Sequence, residues 1–506
     1  MTQSLFALVR ERMPEPGKTF IETQDGRVTT YGDLLAGSAR LANVLVAQGV
    51  GPGDRVAVQV EKSPEAILLF LACLRAGAVC LPLNTGYTLA ELEYFIGDSE
   101  PRVVVCSPDR QQGLAALGAG HGVAATLTLG TAGDGTLMDL ARAAPAAFAD
   151  VPRRGDDLAA ILYTSGTTGR SKGAMLTHDN LASNALTLVD VWRFGPDDVL
   201  LHALPIFHTH GLFVATNVIL LAGASMIFLP RLDADAMIAL MPRATTMMGV
   251  PTFYVRLLQD PRLTRELVAH MRLFVSGSAP LLADTHREWQ DRTGKAILER
   301  YGMTETNMNT SNPYEGDRVA GTVGFPLPGV DLRVVDPESG ALLPQGEVGM
   351  IEVRGPNVFK GYWRMPEKTA AEFRPDGFFI TGDLGRVDER GYVQIVGRGK
   401  DLVISGGYNV YPKEVETEID ALPGVVESAV IGVPHRDFGE GVTAVVVKRA
   451  DSALDEPQVL AALADRLARY KQPKRVLFVP DLPRNTMGKV QKNVLRETYR
   501  DLYARA

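Results

Sequence analysis

At 506 residues, with 46% apolar and 22% charged side chains, the chain is too long for one ordinary core and reads as a soluble protein of two or more domains. Its net charge of −7 gives no electrostatic case for nucleic acid or an anionic membrane surface as a partner. No apolar run approaches the roughly 18 residues of a membrane span, and residues 1–16 lack a signal-peptide core. Cys73, Cys80 and Cys106 are an odd set in apolar surroundings, so a reduced, cytoplasmic protein with thiols packed in its core is expected.

The first half alternates two periodicities. Residues 31–48 carry the apolar spacing of a helix, 55–60 read as a strand, 64–75 return to helix, and 102–106 form a further strand candidate. An Ala/Gly-rich piece covers 113–147. The run Leu158-Ala-Ala-Ile-Leu162 reads as a buried strand, and the rhythm resumes at 199–204, 225–229 and 271–275. Such alternation predicts layers with largely parallel sheets. Across 323–396 the texture changes to short strands with Gly and Pro turns. After Gly397-Arg-Gly-Lys-Asp401 come a helix (412–421), two strands (425–433 and 442–447), a helix (457–470) and a last strand (475–479). The expected fold class is α/β. A large N-terminal domain, 1–398, has layered α/β sheets plus a small β-rich subdomain, and an α+β C-terminal domain spans 399–506.

The densest motif is Tyr163-Thr-Ser-Gly-Thr-Thr-Gly-Arg-Ser-Lys-Gly173, directly after the buried strand. Thr164, Ser165, Thr167 and Thr168 supply hydroxyl donors, Gly166, Gly169 and Gly173 let backbone amides approach an anion, and Lys172 adds a charge. That composition suits a phosphate-gripping loop more than a plain Ser/Gly turn. It is not a Walker A loop, because Gly173 rather than Ser or Thr follows Lys172. A second constellation lies in Ile297-Leu-Glu-Arg-Tyr-Gly-Met-Thr-Glu305. There Tyr301 can stack on a base, Thr304 can bond a phosphate, and Glu305 offers Mg²⁺ a hard oxygen ligand. Taken singly, each is more often structural: tyrosine in a core, threonine in a turn, glutamate on a surface. Asp383, in Ile380-Thr-Gly-Asp-Leu384, suits ribose hydroxyls or a simple Asx turn.

In this order and combination the motifs resemble the acyl-adenylate-forming superfamily, which includes acyl-CoA synthetases, aryl-CoA ligases, luciferases and peptide-synthetase adenylation domains. The resemblance covers essentially the whole chain. It implies that the 163–173 loop and Lys172 bind the triphosphate of ATP. It further implies that Ser276-Gly-Ser-Ala-Pro-Leu281 and the stretch with Tyr301, Gly302, Met303 and Thr304 bind adenine, that Asp383 binds ribose, and that Arg398 precedes a hinge at Lys400. Within Pro205-Ile-Phe-His-Thr-His-Gly211, His208 is the histidine expected to border the acyl pocket. Ser405-Gly-Gly-Tyr-Asn409, with Gly406, Gly407 and Tyr408, matches the coenzyme A loop, and Lys489 matches a catalytic lysine on a mobile C-terminal domain. The implied chemistry is adenylation of a carboxylic acid, with Mg²⁺ held partly by Glu305, then thioester formation with coenzyme A. A nucleotide-binding regulator without catalysis is opposed by Lys172, Glu305, Asp383, Lys400 and Lys489 occurring together. A peptide-synthetase module is opposed by the absence of a carrier domain between Lys489 and Ala506.

Arg300 is the informative departure. Many superfamily members carry a small residue there, lining the acyl pocket. A planar cation at that place suits a short acid with a second carboxylate. Ser278 adds a hydroxyl and His208 a ring. These stretches and Pro483-Arg-Asn-Thr-Met-Gly-Lys489 resemble malonyl-CoA synthetases. That likeness implies malonate as substrate, methylmalonate as a second one, and oxalate, succinate or a neutral short acid as rivals. Two alternatives stay open: Arg300 salt-bridged to Glu299, Glu305 or another acid, and Arg287 as a competing clamp or a solvated helix residue. Lys489 is also a candidate for a lysine acetyltransferase and deacetylase, since acetylation removes its charge. Oligomeric state is not encoded in any of these features.

Overall fold

The structure, a computed structural model, describes residues 4–164, 171–405, 408–435, 438–464, 466–467, 469–485 and 488–503, excepting the side chains of Tyr408 and Asn409. Runs such as Val79–Pro82 and Val103–Cys106 are buried at every position, which a strand achieves only when both faces of its sheet are covered. They sit in a six-stranded sheet in the order 125–128, 103–106, 55–59, 79–82, 158–164, 172–177. All its pairings are parallel except the last, where Leu158–Thr164 and Lys172–Thr177 form an antiparallel pair flanking the expected phosphate loop. A nine-stranded sheet runs 325–326, 307–311, 298–303, 273–276, 246–249, 199–202, 225–228, 19–23, 28–30, parallel through its centre and antiparallel at both edges.

The chain divides into two compact units. One is Met1–Asp331 with Val353–Phe379, and the other is Leu332–Glu352 with Ile380–Ala506. The first holds the two large sheets and their helices. The second is built on a four-stranded sheet (331–335, 349–354, 379–387, 393–398) and a five-stranded sheet of 408–410, 403–405, 439–448 and 425–435, with 475–478 pairing parallel to 439–448. Helix Pro412–Asp420 packs Val415 and Ile419 onto the latter, against Val430, Val442 and Ala444. The expected α/β class with a smaller α+β C-terminal part is therefore found.

Local signals account for most element ends. Helices Tyr31–Ala47, Leu89–Ser99 and His178–Val191 each start with a reciprocal capping box, from Thr30, Thr88 and Thr177. Helix Pro64–Arg75 starts at a proline behind the Ser63 cap. Of the helix expected over 457–470, Glu456–Ala464 is helical, and beyond it the Gln472 side-chain amide donates to the carbonyls of Ala464 and Leu467. Cys73, Cys80 and Cys106 are all free and buried in the core, as their apolar surroundings suggested. Among the described residues no helix is long and apolar enough to cross a membrane.

Helix His178–Val191 anchors what later forms the site. Asn180 caps its own helix by accepting from Thr177 N–H, while its Nδ2 donates to the carbonyls of Pro356 and Val358, each at 2.8 Å. One turn on, Asn184 donates to Met308 O and accepts from Met308 N. Replacing Asn180 by Ala removes half of a capping box and two bonds to part-buried carbonyls, a loss of about 1–3 kcal/mol. Thermal unfolding of Asn180→Ala is expected at lower temperature, with faster hydrogen exchange across 356–363; an unchanged melting profile would contradict this anchoring role.

Candidate active site

Strand Leu298–Met303 pairs parallel with Leu273–Ser276 on one side and antiparallel with Asn307–Ser311 on the other. The hairpin closes tightly: Thr306 N donates to Met303 O, and Asn307 takes a left-handed φ of 50°. Position 302 must be glycine, because a Cβ there would run into the Asn307 carbonyl. This turn carries Thr304 half-buried and sends Glu305 inward, 6% exposed. Glu305 Oε1 accepts from the Tyr362 hydroxyl at 3.1 Å, and its carbonyl accepts from Phe359 N–H at 2.7 Å.

Lys172 reaches the same place from the other sheet. Its Nζ lies 3.0 Å from Glu372 Oε1 and 4.1 Å from the Tyr362 ring centroid, while the Tyr362 hydroxyl is 2.6 Å from Glu372 Oε2. Lys172 and Glu305, chosen from separate motifs, are thus joined by Tyr362 and Glu372, which the sequence reading missed. Burial first, then the neighbouring Glu305 and Glu372 carboxylates, hold the Tyr362 phenol well above its usual range. Burial would raise the Glu372 carboxyl too, but hydrogen bonds from Lys368, Tyr362 and Lys172 hold it below its ordinary value. Among the described residues no group of three or more His, Cys, Asp or Glu forms a closed metal cage. A single inward carboxylate fits Mg²⁺, which takes one or two protein carboxylates beside substrate phosphates. Thr164 pairs with Lys172 across the strand pair, and Tyr301 is buried to 9% exposure. The calls on Ser165, Gly166, Thr167, Thr168, Gly169, Gly406 and Gly407 lie outside the described residues.

Arg300 forms a separate pocket. It is 4% exposed, and its Nε and Nη2 have no hydrogen-bond partner among the described residues. Burial pushes its guanidinium down to about 9, with only the Tyr254 hydroxyl opposing. The salt bridges considered from the sequence do not form. Glu299 is taken by His286 Nδ1 at 2.8 Å and by Gly321 N–H, and Glu305 bonds Tyr362. Successive strand residues point to opposite faces, so Glu299 and Arg300 diverge. Arg287 lies on an exposed helix face, paired with Asp284 three residues earlier. The guanidinium lies against Gly277, where a Cβ would stand 2.5 Å from Arg300 Nε. Next in sequence, Ser278 has a left-handed φ of 72°, and its hydroxyl lies 3.2 Å from His210 Nδ1. His210 belongs to the π-helical turn His210–Thr216, and its own N–H donates to His208 Nδ1 at 3.3 Å. Burial, then the Arg300 charge, holds the His210 ring well below the usual histidine range. The expected pocket residues Arg300, Ser278 and His208 therefore come together, with His210 as the added member. It was the second histidine of a motif in which only the first had been singled out.

In the second unit, Asp383 and Arg398 face each other in strand register and form an ion pair of 2.7 Å. Two residues on, Lys400 sits in the short turn Gly399–Asp401; burial, opposed by Asp401, lowers its pKa. Lys489 is exposed on a tight turn in which Asn485 Oδ1 accepts from Lys489 N–H and Asn485 N–H donates to Lys489 O. Gly488 supplies the left-handed φ of 75° that this turn needs. The backbone of Tyr408 pairs with Ser405.

A model of AMP-binding enzymes matches residues 10–363, and a model of the AMP-binding enzyme C-terminal domain matches 414–489. The chain belongs to the AMP-binding enzyme family. Among relatives of this family, a feruloyl-CoA synthase from an Amycolatopsis species is 39% identical, over 97% of this chain and 98% of its own length. A malonate–CoA ligase from Arabidopsis thaliana is 34% identical, over 94% of this chain and 85% of its own. The crystal structure of ATP-bound MatB from Rhodopseudomonas palustris superposes with a TM-score of 0.98 at 68% identity, covering 99% of this chain and 100% of that one.

A buried cation without an anion destabilises the ligand-free fold. Arg300→Met is therefore expected to raise the melting temperature of the ligand-free enzyme, the gain being about 1–4 kcal/mol. Were Arg300 a structural ion pair, the same substitution would lower it.

Proposed function

We propose that this AMP-binding enzyme is an ATP-dependent malonyl-CoA synthetase, converting malonate, ATP and coenzyme A into malonyl-CoA, AMP and pyrophosphate through a malonyl-adenylate. The observation that carries the reading is Arg300: a buried guanidinium with unfilled donors, flanked by the Ser278 hydroxyl and the His210 ring. A planar fork with two open N–H groups matches a carboxylate. Malonate fills it with its distal carboxylate while the proximal one reacts. Ferulate, with one carboxylate on an aryl chain, would leave the cation buried and unanswered. The malonate–CoA ligases of Arabidopsis and Bos taurus, 34% and 36% identical, and the 68% identical MatB structure support the same reading. Methylmalonate adds one methyl group, which a pocket discriminates by only about 1–3 kcal/mol.

In the first step a proximal carboxylate oxygen attacks the α-phosphorus of ATP. A C(O)O–P bond forms, and the bond to pyrophosphate breaks. Lys172, Thr164 and Thr304 bind the phosphates in this reading, Tyr301 stacks on adenine, and Gly302 and Met303 shape its wall. Asp383, held by Arg398, takes the ribose hydroxyls. Lys489 offsets the negative charge that grows on the oxygens around phosphorus. Mg²⁺ at Glu305 would stabilise charge on the leaving pyrophosphate. In the second step the coenzyme A thiolate attacks the acyl carbonyl; a C–S bond forms and AMP leaves with the C–O electrons. Residues 399–506 turn about Lys400 between steps, so Lys489 serves the first and the backbone around Gly406, Gly407 and Tyr408 the second. We place the reaction in a reducing, cytoplasmic setting, which the three buried free thiols support.

The decisive measurement is AMP release with malonate, methylmalonate, acetate, succinate and oxalate. Malonate is expected to lead, and Arg300→Ala to remove that lead by about a hundredfold or more in kcat/KM. A malonate preference that survives Arg300→Ala would refute the clamp, and preference for another acid would refute the substrate. Lys489, on its exposed turn, is the proposed target of a lysine acetyltransferase and deacetylase. Lys489→Gln is expected to stop adenylation while thioester formation from preformed malonyl-adenylate continues; equal loss of both half-reactions would contradict the division of labour.

A further inference from the structure

Lys62 and His202 lie outside the machinery described so far, yet both are turned inward behind the acyl pocket. Lys62 precedes the Ser63 cap of helix Pro64–Arg75, and His202 ends strand Val199–His202 with no exposed surface. Lys62 Nζ lies 2.9 Å from His202 Nδ1, 2.8 Å from the His202 carbonyl and 4.1 Å from the Phe228 ring centroid. No ion pair to an acid accompanies it among the described residues. Lysine brings N–H donors, so Nδ1 of His202 accepts and Nε2 carries the ring proton. That proton points at Gly211 O, 3.0 Å from Nε2. The same carbonyl accepts from Thr216 Oγ1 at 2.9 Å. Gly211 itself packs closely on the chain before it, since a Cβ there would strike the Pro205 carbonyl. It is also the second residue of the π-helical turn, directly after His210. π-turns are irregular and need outside support to persist, and they recur at functional sites.

We propose that Lys62 and His202 are positioning residues: by fixing the Gly211 carbonyl they hold the π-turn in the register that sets His210 against Ser278 and Arg300, and so set the affinity for the acid's second carboxylate. This rests on the malonate reading of the pocket. The route is short. Lys62 selects the His202 tautomer, His202 grips the first turn at Gly211, and the adjoining residue is the one that reaches Ser278. Burial, and then the Lys62 charge, keep His202 well below the usual histidine range, which holds it neutral in that tautomer. A loosened π-turn would let His210 leave Ser278 while strand Leu298–Met303 and Glu305 stay in place. The second-carboxylate site would suffer, and the ATP site would not.

The test exploits side-chain geometry. Glutamine can place an amide N–H where His Nε2 stood, whereas asparagine reaches only the Nδ1 position. His202→Asn is expected to raise the KM for malonate about tenfold, with the KM for ATP within about twofold of wild type. His202→Gln should stay within about threefold for both. Acetate has no second carboxylate, so its kcat/KM should be unmoved by either change. Equal losses in His202→Asn and His202→Gln, parallel rises in both KM values, or no change in His202→Asn would overturn the proposal. If His202→Asn does not fold, Lys62→Met decides: a selective rise in malonate KM supports the role, and an unchanged or parallel response overturns it. A wild-type enzyme that prefers acetate would overturn the malonate reading and this role with it, whereas a malonate-preferring enzyme whose malonate KM is unmoved by His202→Asn would overturn the role alone.

Discussion

The active site is organised around a charge that the protein declines to neutralise. Arg300 is buried, its nearest acid in sequence is engaged elsewhere, and two of its nitrogens lack acceptors among the described residues. A buried ion without a partner is among the most unfavourable features a fold can carry, so it persists only where something else uses it. The surroundings enforce the vacancy of protein anions. Gly277 gives the guanidinium room against the backbone, Ser278 in a left-handed conformation sets its hydroxyl against His210, and His210 is kept neutral by burial and by Arg300 itself. A neutral imidazole beside a cation leaves the positive potential intact for an incoming carboxylate. Under the proposed malonate reading, discrimination comes mainly from what a wrong acid fails to do: a monocarboxylate would occupy the volume and leave the cation desolvated.

One hairpin carries candidates for both ends of the proposed reaction. Along the regular part of strand Leu298–Met303 alternate residues face opposite ways, so Arg300 shares a face with Leu298 and Tyr301 shares the other with Glu299, before the register shifts between Tyr301 and Gly302. The turn that follows delivers Glu305 to Tyr362, and through Tyr362 and Glu372 to Lys172. The residues proposed for acid recognition and for phosphate chemistry are therefore set a few residues apart on one element, flanked by strands on both sides. A site built on a central strand keeps its geometry better than one built on loops. The tightness at Gly302, where a Cβ would meet the Asn307 carbonyl, fixes the spacing between the two functions.

The layered fold was legible because its signals are local. Continuous apolar runs such as 103–106 mark strands covered on both faces, and proline or Thr caps mark helix starts. Arg300 stood out only against a family pattern in which that position is small. Its lack of an acid partner was half-readable: once 298–303 is a strand, period-two alternation separates Glu299 from Arg300. Treating the stretch merely as a motif hid that. Tyr362 and Glu372 were not legible at all, since Glu372 lies 200 residues from the lysine it binds and carries no motif. Only the packing of helix Pro366–Glu372 beside the strand pair at Lys172 reveals them. His202 and Lys62 were invisible for the same reason, 140 residues apart in the chain.

The two inward cations also differ in a way that assigns their parts. Arg300 ends in a planar fork whose open donors match a carboxylate, and its charge survives because guanidinium loses its proton with difficulty even when burial pushes it to about 9. Lys62 has its Nζ against a ring nitrogen, a carbonyl and an aromatic face, and burial drives its ammonium well below the normal lysine range. An amine in those surroundings can fix a tautomer whether or not it is charged, since it donates in either state. Lysine suits the supporting place, where a pKa shift does no harm, and arginine suits the place where the charge itself is the recognition element. Exchanging them would put a labile cation against the substrate and a five-donor fork in a niche with acceptors for only a few of its N–H groups.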